Sequence, residues 1–157
     1  MKRSLVWVVG LWLACGVPAT DVLAQPRSWT TFTDHRGTSV EYPADVFAIM
    51  RGRQRGRTFL TSDGSATLDV YAGPNERGET PAQFLRRTFP LKRSRLTYDR
   101  VAPNFFAISA PHDGRILYRR CNFQGPMIHC IDLTYPLREK RDWDDTVTRI
   151  SRSLRPL

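Results

Sequence analysis

Two periods of apolar and polar residues organise the second half of the chain. In "RILYRRCNF" and "MIHCIDLTY" the pair Ile116, Tyr118 and the triplet Ile131, Leu133, Tyr135 fall at alternate positions, the period-two pattern of one core-facing side of a strand. Further on, Trp143, Val147, Ile150 and Leu154 recur at helical spacing and form one stripe, which predicts an amphipathic helix from about Lys140 to Leu154. Pro136 stops the strand that precedes it.

The alternating runs flank Gly125-Pro126 and predict a hairpin. Gln124 then faces Met127 in a hydrogen-bonded pair. Counting outward places Cys121 opposite Cys130 in a non-hydrogen-bonded pair, where Cα atoms approach to about 4.5 Å. That separation suits a disulfide. The same register sets Arg119 opposite Asp132 on the disulfide's face and gathers Ile116, Tyr118, Ile131, Leu133 and Tyr135 on the other, so one face is mixed and the other is core. The loop closed is short, which holds the entropic gain to ~3 kcal/mol or less. The spacing is not Cys-x-x-Cys, and two thiols with His129 are too few ligands for a metal site.

Shorter signals fill in the first half. "SWTTFT" and "TSVEYP" read as strands around a turn carrying Asp34 and Gly37, and Pro43 closes the second. "DVFAI" begins a third extended run. "TFLTS", Asp63-Gly64 and "SATLDVYA" form a hairpin around an Asp-Gly turn. Between these, "RGRQRGR" interrupts as a solvated insertion, its arginines repelling one another across two glycines. After the loop "GPNERGE", Thr80, Pro81 and Gln83 spell a capping box with proline at the first helical position. That helix runs to about Phe89, buries Phe84, Leu85 and Phe89, and ends before Pro90. "RLTYDRVA" and "NFFAISA" add two strands, followed by a turn at His112-Asp113-Gly114. The sum is an α+β sandwich, a mainly antiparallel sheet of about seven or eight strands with two helices, the C-terminal one covering a face.

Charge and targeting change the functional picture. "MKRSLVWVVGLWLACGVPATDVLAQ" has two basic residues, an apolar run of roughly eleven residues and small residues before Gln25, the layout of a signal peptide over residues 1–24, with a single domain over 25–157. That run is well short of the ~20 residues that span a bilayer. Lipid attachment at Cys15 in "LACG" is a rival reading, weakened by Trp12 and Leu13 where that signal has leucine and a small residue. Without Lys2, Arg3 and Asp21, the 24 basic and 15 acidic residues become 22 and 14, a formal charge of +8. In an exported chain, periplasmic or secreted, that balance points to anionic envelope polymers, lipid head groups or acidic protein surfaces rather than nucleic acid. The arginine run lacks the aromatic interleaving that stacks bases. Arg51, Arg53, Arg55 and Arg57 are nonetheless its candidate anion-binding residues, because arginine forks match carboxylate and phosphate.

Catalytic signatures are scarce. The chain has no Gly-x-Ser-x-Gly elbow, no His-Glu-x-x-His, no phosphate loop and no dinucleotide fingerprint. His35 and His112 sit in turns, and Asp142, Asp144 and Asp145 open the last helix, where carboxylates complement the macrodipole. The alternative is a hydrolase acting on an envelope polymer, with His129, His112 and nearby carboxylates as its candidates. No catalytic residue, metal or cofactor is assigned from the residues.

"SVEYPADVF", "TFLTSDGSATLDVY", the helix entered at "TPAQF", the late hairpin and "TYP" before a helix ending "ISRSL" together resemble the PsbP/DcrB-like group of small exported α/β/α sandwiches. "RCNF", "IHCI" and "SRSLRP" also look like those of short uncharacterised exported proteins of alphaproteobacteria. The resemblance implies helices on both sides of an antiparallel sheet and a non-catalytic habit, since PsbP-like proteins support larger membrane complexes. It maps no binding residue here, and the arginine run lies outside it. The expectation is an exported accessory or binding module whose basic surface meets an envelope protein or anionic polymer.

Overall fold

A computed structural model describes residues 27–53, 56–89 and 93–157; the expected signal peptide, Cys15, Arg55 and Pro90 lie outside them. Short-range chemistry shapes the elements largely as the pattern predicts. Helix α1 (Pro81–Thr88) starts at Thr80, whose hydroxyl accepts from the Gln83 amide while the Gln83 side chain accepts from the Thr80 amide. Strands β8 (Arg115–Gln124) and β9 (Met127–Pro136) meet around Gly125-Pro126 with Cys121 opposite Cys130 and Arg119 opposite Asp132. The disulfide is formed, with Cα atoms 4.1 Å apart. Helix α2 (Lys140–Ser153) buries Trp143, Val147 and Ile150. Leu154 caps it in extended conformation and is itself buried.

The remaining strands are β1 (Trp29–Thr33), β2 (Thr38–Pro43), β3 (Ile49–Arg53), β4 (Gly56–Leu60), β5 (Thr67–Pro74), β6 (Tyr98–Ala102), β7 (Phe105–His112) and β10 (Arg155–Pro156). Strands β3 to β9 build one seven-stranded antiparallel sheet in the order β3-β4-β5-β9-β8-β7-β6. Its two faces carry separate cores. On one, Phe59, Leu68, Val70, Ile131 and Leu133 pack with Val40 of β2 and with Trp143, Val147 and Ile150 of α2. Tyr135 stacks on Trp143 at 5.4 Å. On the other, Phe106, Ile108, Ile128 and the disulfide pack with Leu85 of α1, flanked by Phe84 and Phe89. The architecture is an α+β sandwich with one helix on each side of the sheet.

Three expectations are corrected. The first hairpin does not join the large sheet: β1, β2 and the two-residue β10 form their own three-stranded sheet, in which Arg155 and Pro156 stand opposite Ser39 and Thr38 and the Leu157 amide donates to the Gly37 carbonyl. A two-residue strand has no periodicity to read. Second, residues 45–47 do not begin a strand. The amides of Val46 and Phe47 both bond the Pro43 carbonyl in a turn, which sends Phe47 into the core 5.8 Å from the Trp143 ring.

Third, the arginine run is not an insertion between strands but is itself a hairpin arm pair: Arg51 pairs with Thr58, Gly52 with Arg57 and Arg53 with Gly56. Ladder hydrogen bonds to β5 continue through Gly56↔Tyr71. Gly56 permits that approach, since a Cβ there would stand 2.0 Å from the Val70 carbonyl oxygen. Backbone pairing along a sheet edge thus prevails over arginine repulsion, which solvent and salt screen.

Candidate functional site: a cationic cleft beside α2

Where β7 crosses the face that α2 packs on, Ala107 and Ser109 are small, beyond the larger Phe105 at the strand's start. Ala107 pairs with Arg100 of β6 on one side and Arg120 of β8 on the other. Two residues along, Ser109 pairs with Tyr98 and Tyr118. The sheet therefore presents two parallel rows, Arg–Ala–Arg and Tyr–Ser–Tyr, each lowest in the middle. Helix α2 lies over β8 and β9 and stops short of this edge, so its flank forms the opposite wall with Lys140, Asp144, Thr148, Ser151 and Arg152. The result is a cleft of about 480 Å³, within the ~300–1,000 Å³ usual for small-molecule sites.

Its walls are held by specific contacts. The Tyr118 hydroxyl and Ser151 Oγ share a hydrogen bond of 2.6 Å, joining sheet to helix. Burial raises the Tyr118 phenol above its usual pKa and pushes that of Tyr135 up to about 12, so both stay neutral. Arg120 donates through Nε to Asn122 Oδ1 at 2.9 Å and through Nη1 to Ser151 Oγ at 3.5 Å. Its guanidinium lies 4.5 Å from the centre of the Phe105 ring, and that of Arg100 lies 5.3 Å from the same centre. Two like charges are thereby gathered around one ring.

No carboxylate among the described residues reaches salt-bridge distance of Arg100, Arg120 or Arg152. Asp144, the carboxylate of the cleft, is engaged at 2.9 Å by Lys140. This contrasts with the opposite face of the sheet. There Arg119 grips Asp132 through two bonds of 2.7 and 2.6 Å, the Tyr71 hydroxyl donates to the same carboxylate at 3.3 Å, and the Thr58 hydroxyl donates to Asp69 at 2.5 Å. Burial, then the Asp132 charge, drives the Tyr71 phenol far above its usual pKa. That cluster answers its charges internally; the cleft leaves Arg100, Arg120 and Arg152 without a carboxylate partner among the described residues.

The residues proposed from sequence are dispersed. Arg51 and Arg57 are exposed, but Arg57 opposes Gly52, the residue between Arg51 and Arg53, which places Arg51 and Arg57 on opposite faces of the hairpin. His129 is 4 % exposed, and its Nδ1 shares a hydrogen bond of 2.9 Å with Thr38 Oγ1. Burial, partly offset by the charge of Asp34, lowers its pKa. His112 is exposed beside Asp113 at the β7–β8 turn. The two histidines stand seven register positions apart along β9, on the order of 20 Å, and share no site. Glu79, in a loop, forms a two-pronged pair with Arg87 of α1.

Sequence reasoning missed Arg100, Arg120 and Arg152. The available signal was small residues at alternate positions of "FAISA", which on an inner strand open a trough between longer neighbours.

No family profile matches the chain, and no curated protein matches it. Solved structures do. The solution structure of cyanobacterial PsbP (CyanoP) from Synechocystis sp. PCC 6803 superposes with a TM-score of 0.63 at 11 % identity, covering 95 % of this chain and 99 % of that one. The fold is PsbP-like. A crystal structure from Bacteroides thetaiotaomicron VPI-5482 superposes with a TM-score of 0.53 at 11 % identity over 81 % of this chain, which spans about half (48 %) of the other. At this identity the likeness is one of fold.

Proposed function

We propose that this protein is an exported, non-catalytic binding module of the cell envelope, periplasmic or secreted, that holds an anionic group of an envelope protein or polymer in the cleft beside α2. The observation that carries the reading is the gathering of Arg100 and Arg120 around Phe105, with Arg152 on the facing helix, and no carboxylate among the described residues at salt-bridge distance of them. Guanidinium groups collected at an open site without counter-charge are paired by what binds there. The signal-like residues 1–24 and the Cys121–Cys130 disulfide both accord with an oxidising, extracytoplasmic setting. Among the described residues no helix is long and apolar enough to cross a membrane. The arginine hairpin, with Arg51 and Arg57 exposed, supplies a second and weaker electrostatic contact within this reading.

A hydrolase built on His129 receives no support from its surroundings, because the ring is buried against β2 with one nitrogen engaged by Thr38.

Photo-crosslinking in intact cells tests the proposal. A reactive residue at Thr148, on the exposed rim of the cleft, should capture a specific envelope component, and the same residue at Gly64, in the β4–β5 turn, should not. The captured protein should begin at Gln25 by mass. Equal capture from both positions, or a protein retained in the cytoplasm with residues 1–24 attached, would refute it.

A further inference from the structure

Resting on the anion-binding reading, we infer that the cleft takes a phosphomonoester carried on a small hydroxylated body, of the size of a monosaccharide. Two features of the cleft select this class over a carboxylate.

The first is donor excess. Arg100, Arg120 and Arg152 line the cleft together with the hydroxyl residues Ser109, Thr148 and Tyr98, while Asp144, the one carboxylate among its described lining residues, is held by Lys140. A carboxylate offers two oxygens and one charge. A phosphomonoester offers three terminal oxygens and a charge of about −1.5 to −2 at neutral pH, and satisfies more donors at once. Arg120 is also aimed in advance, since Asn122, Ser151 and the Phe105 ring hold its guanidinium in place. Its entropy of ordering is largely spent before any ligand arrives.

The second is the shape of what remains. A bare phosphate occupies only the Arg–Ala–Arg row. The neighbouring Tyr–Ser–Tyr row continues the same trough, with Tyr98 45 % exposed at its outer rim and Ser109 at its floor. An exposed aromatic ring beside hydroxyls suits a hydroxylated body with one apolar face. A sugar phosphate and the head group of an anionic lipid share this chemistry.

The probes are glucose 6-phosphate, inorganic phosphate, glucuronate, and phosphatidylcholine vesicles with or without phosphatidic acid, added to the exported full-length chain. Binding is followed by calorimetry and by amide chemical shifts. Glucose 6-phosphate should bind saturably and about tenfold or more tighter than glucuronate, and tighter than inorganic phosphate. The amides of residues 98–100, 107–109 and 118–120 should shift. Arg100→Gln and Arg152→Gln, both at exposed positions, should each weaken binding about tenfold with the melting temperature unchanged.

Sugar-phosphate binding upholds the inference with or without vesicle binding; vesicle binding alone, or inorganic phosphate bound as tightly as glucose 6-phosphate, would overturn the hydroxylated body. Glucuronate binding as tightly as glucose 6-phosphate at the same amides would overturn the phosphate assignment and leave the anion cleft standing. No shift at these amides with any probe would overturn both.

Discussion

The two edges of the large sheet are both rich in arginine, yet they are built differently. At the β3–β4 edge the arginines are close in sequence, and the hairpin register separates them: Arg51 and Arg57 are exposed on opposite faces, and Arg57 turns back to donate to the Gly56 carbonyl. At the β6 edge they come from residues 100, 120 and 152, far apart along the chain, and strand pairing with helix docking brings them into one cleft. The pairing of Arg57 with Gly52, and not with Arg51, is what puts the two on opposite faces, since side chains alternate along each strand. Convergence needs several elements, and it is convergence that makes a site.

Four experiments press on this contrast. The largest effect is expected from Ile150→Ala. The side chain is fully buried beneath α2, and its removal should cost about 4 kcal/mol in denaturant unfolding. It should also loosen the α2 wall and weaken anion binding in the molecules still folded. Retained binding would show that the sheet rows alone make the site. Next, Gly56→Ala forces a Cβ against the Val70 carbonyl and should cost up to about 3 kcal/mol. Hydrogen exchange should show the loss concentrated at β3 and β4, with binding in the cleft unchanged; altered binding would mean the two edges are coupled.

Smaller effects follow on the surface. Arg100→Gln, read in the native protein at rising salt, should lower anion affinity by about 1.4 kcal/mol, the tenfold expected of a charged contact, and flatten the salt dependence. The paired change Arg51→Gln with Arg57→Gln should move stability by less than about 0.5 kcal/mol and leave cleft affinity where it was. If the hairpin pair mattered as much as Arg100, proximity in sequence would be sufficient and the contrast would collapse.

Legibility tracked the range of the interactions. The hairpin at Gly125-Pro126, the register Cys121↔Cys130, the capping box at Thr80 and Gln83, and the stripe Trp143, Val147, Ile150 were all readable, because each is decided within about twenty residues by turn chemistry or a single period. The turn at residues 45–47 was misread because "DVFAI" looks extended while Phe47 is drawn down onto Trp143, nearly a hundred residues away. Strand β10 was invisible for the same reason: Arg155 and Pro156 pair only because α2 delivers them to β2. Of the site, nothing was legible but its charge. Arg119 and Asp132 could be paired from the hairpin register, whereas Arg100 and Arg120 face each other only across a third strand.

By itself, then, the amino-acid order determined two helices, the run of antiparallel strands, the disulfide and the excess of positive charge. Each rests on local periodicity, turn residues or composition. Tertiary structure decided that the first hairpin forms its own sheet, that residues 51–53 and 56–57 pair along a sheet edge, and that the arginines lining a cleft are Arg100, Arg120 and Arg152. Those outcomes depend on which strands become neighbours and where α2 lies across them. Packing of the two cores settles both, and no short stretch of sequence contains that information.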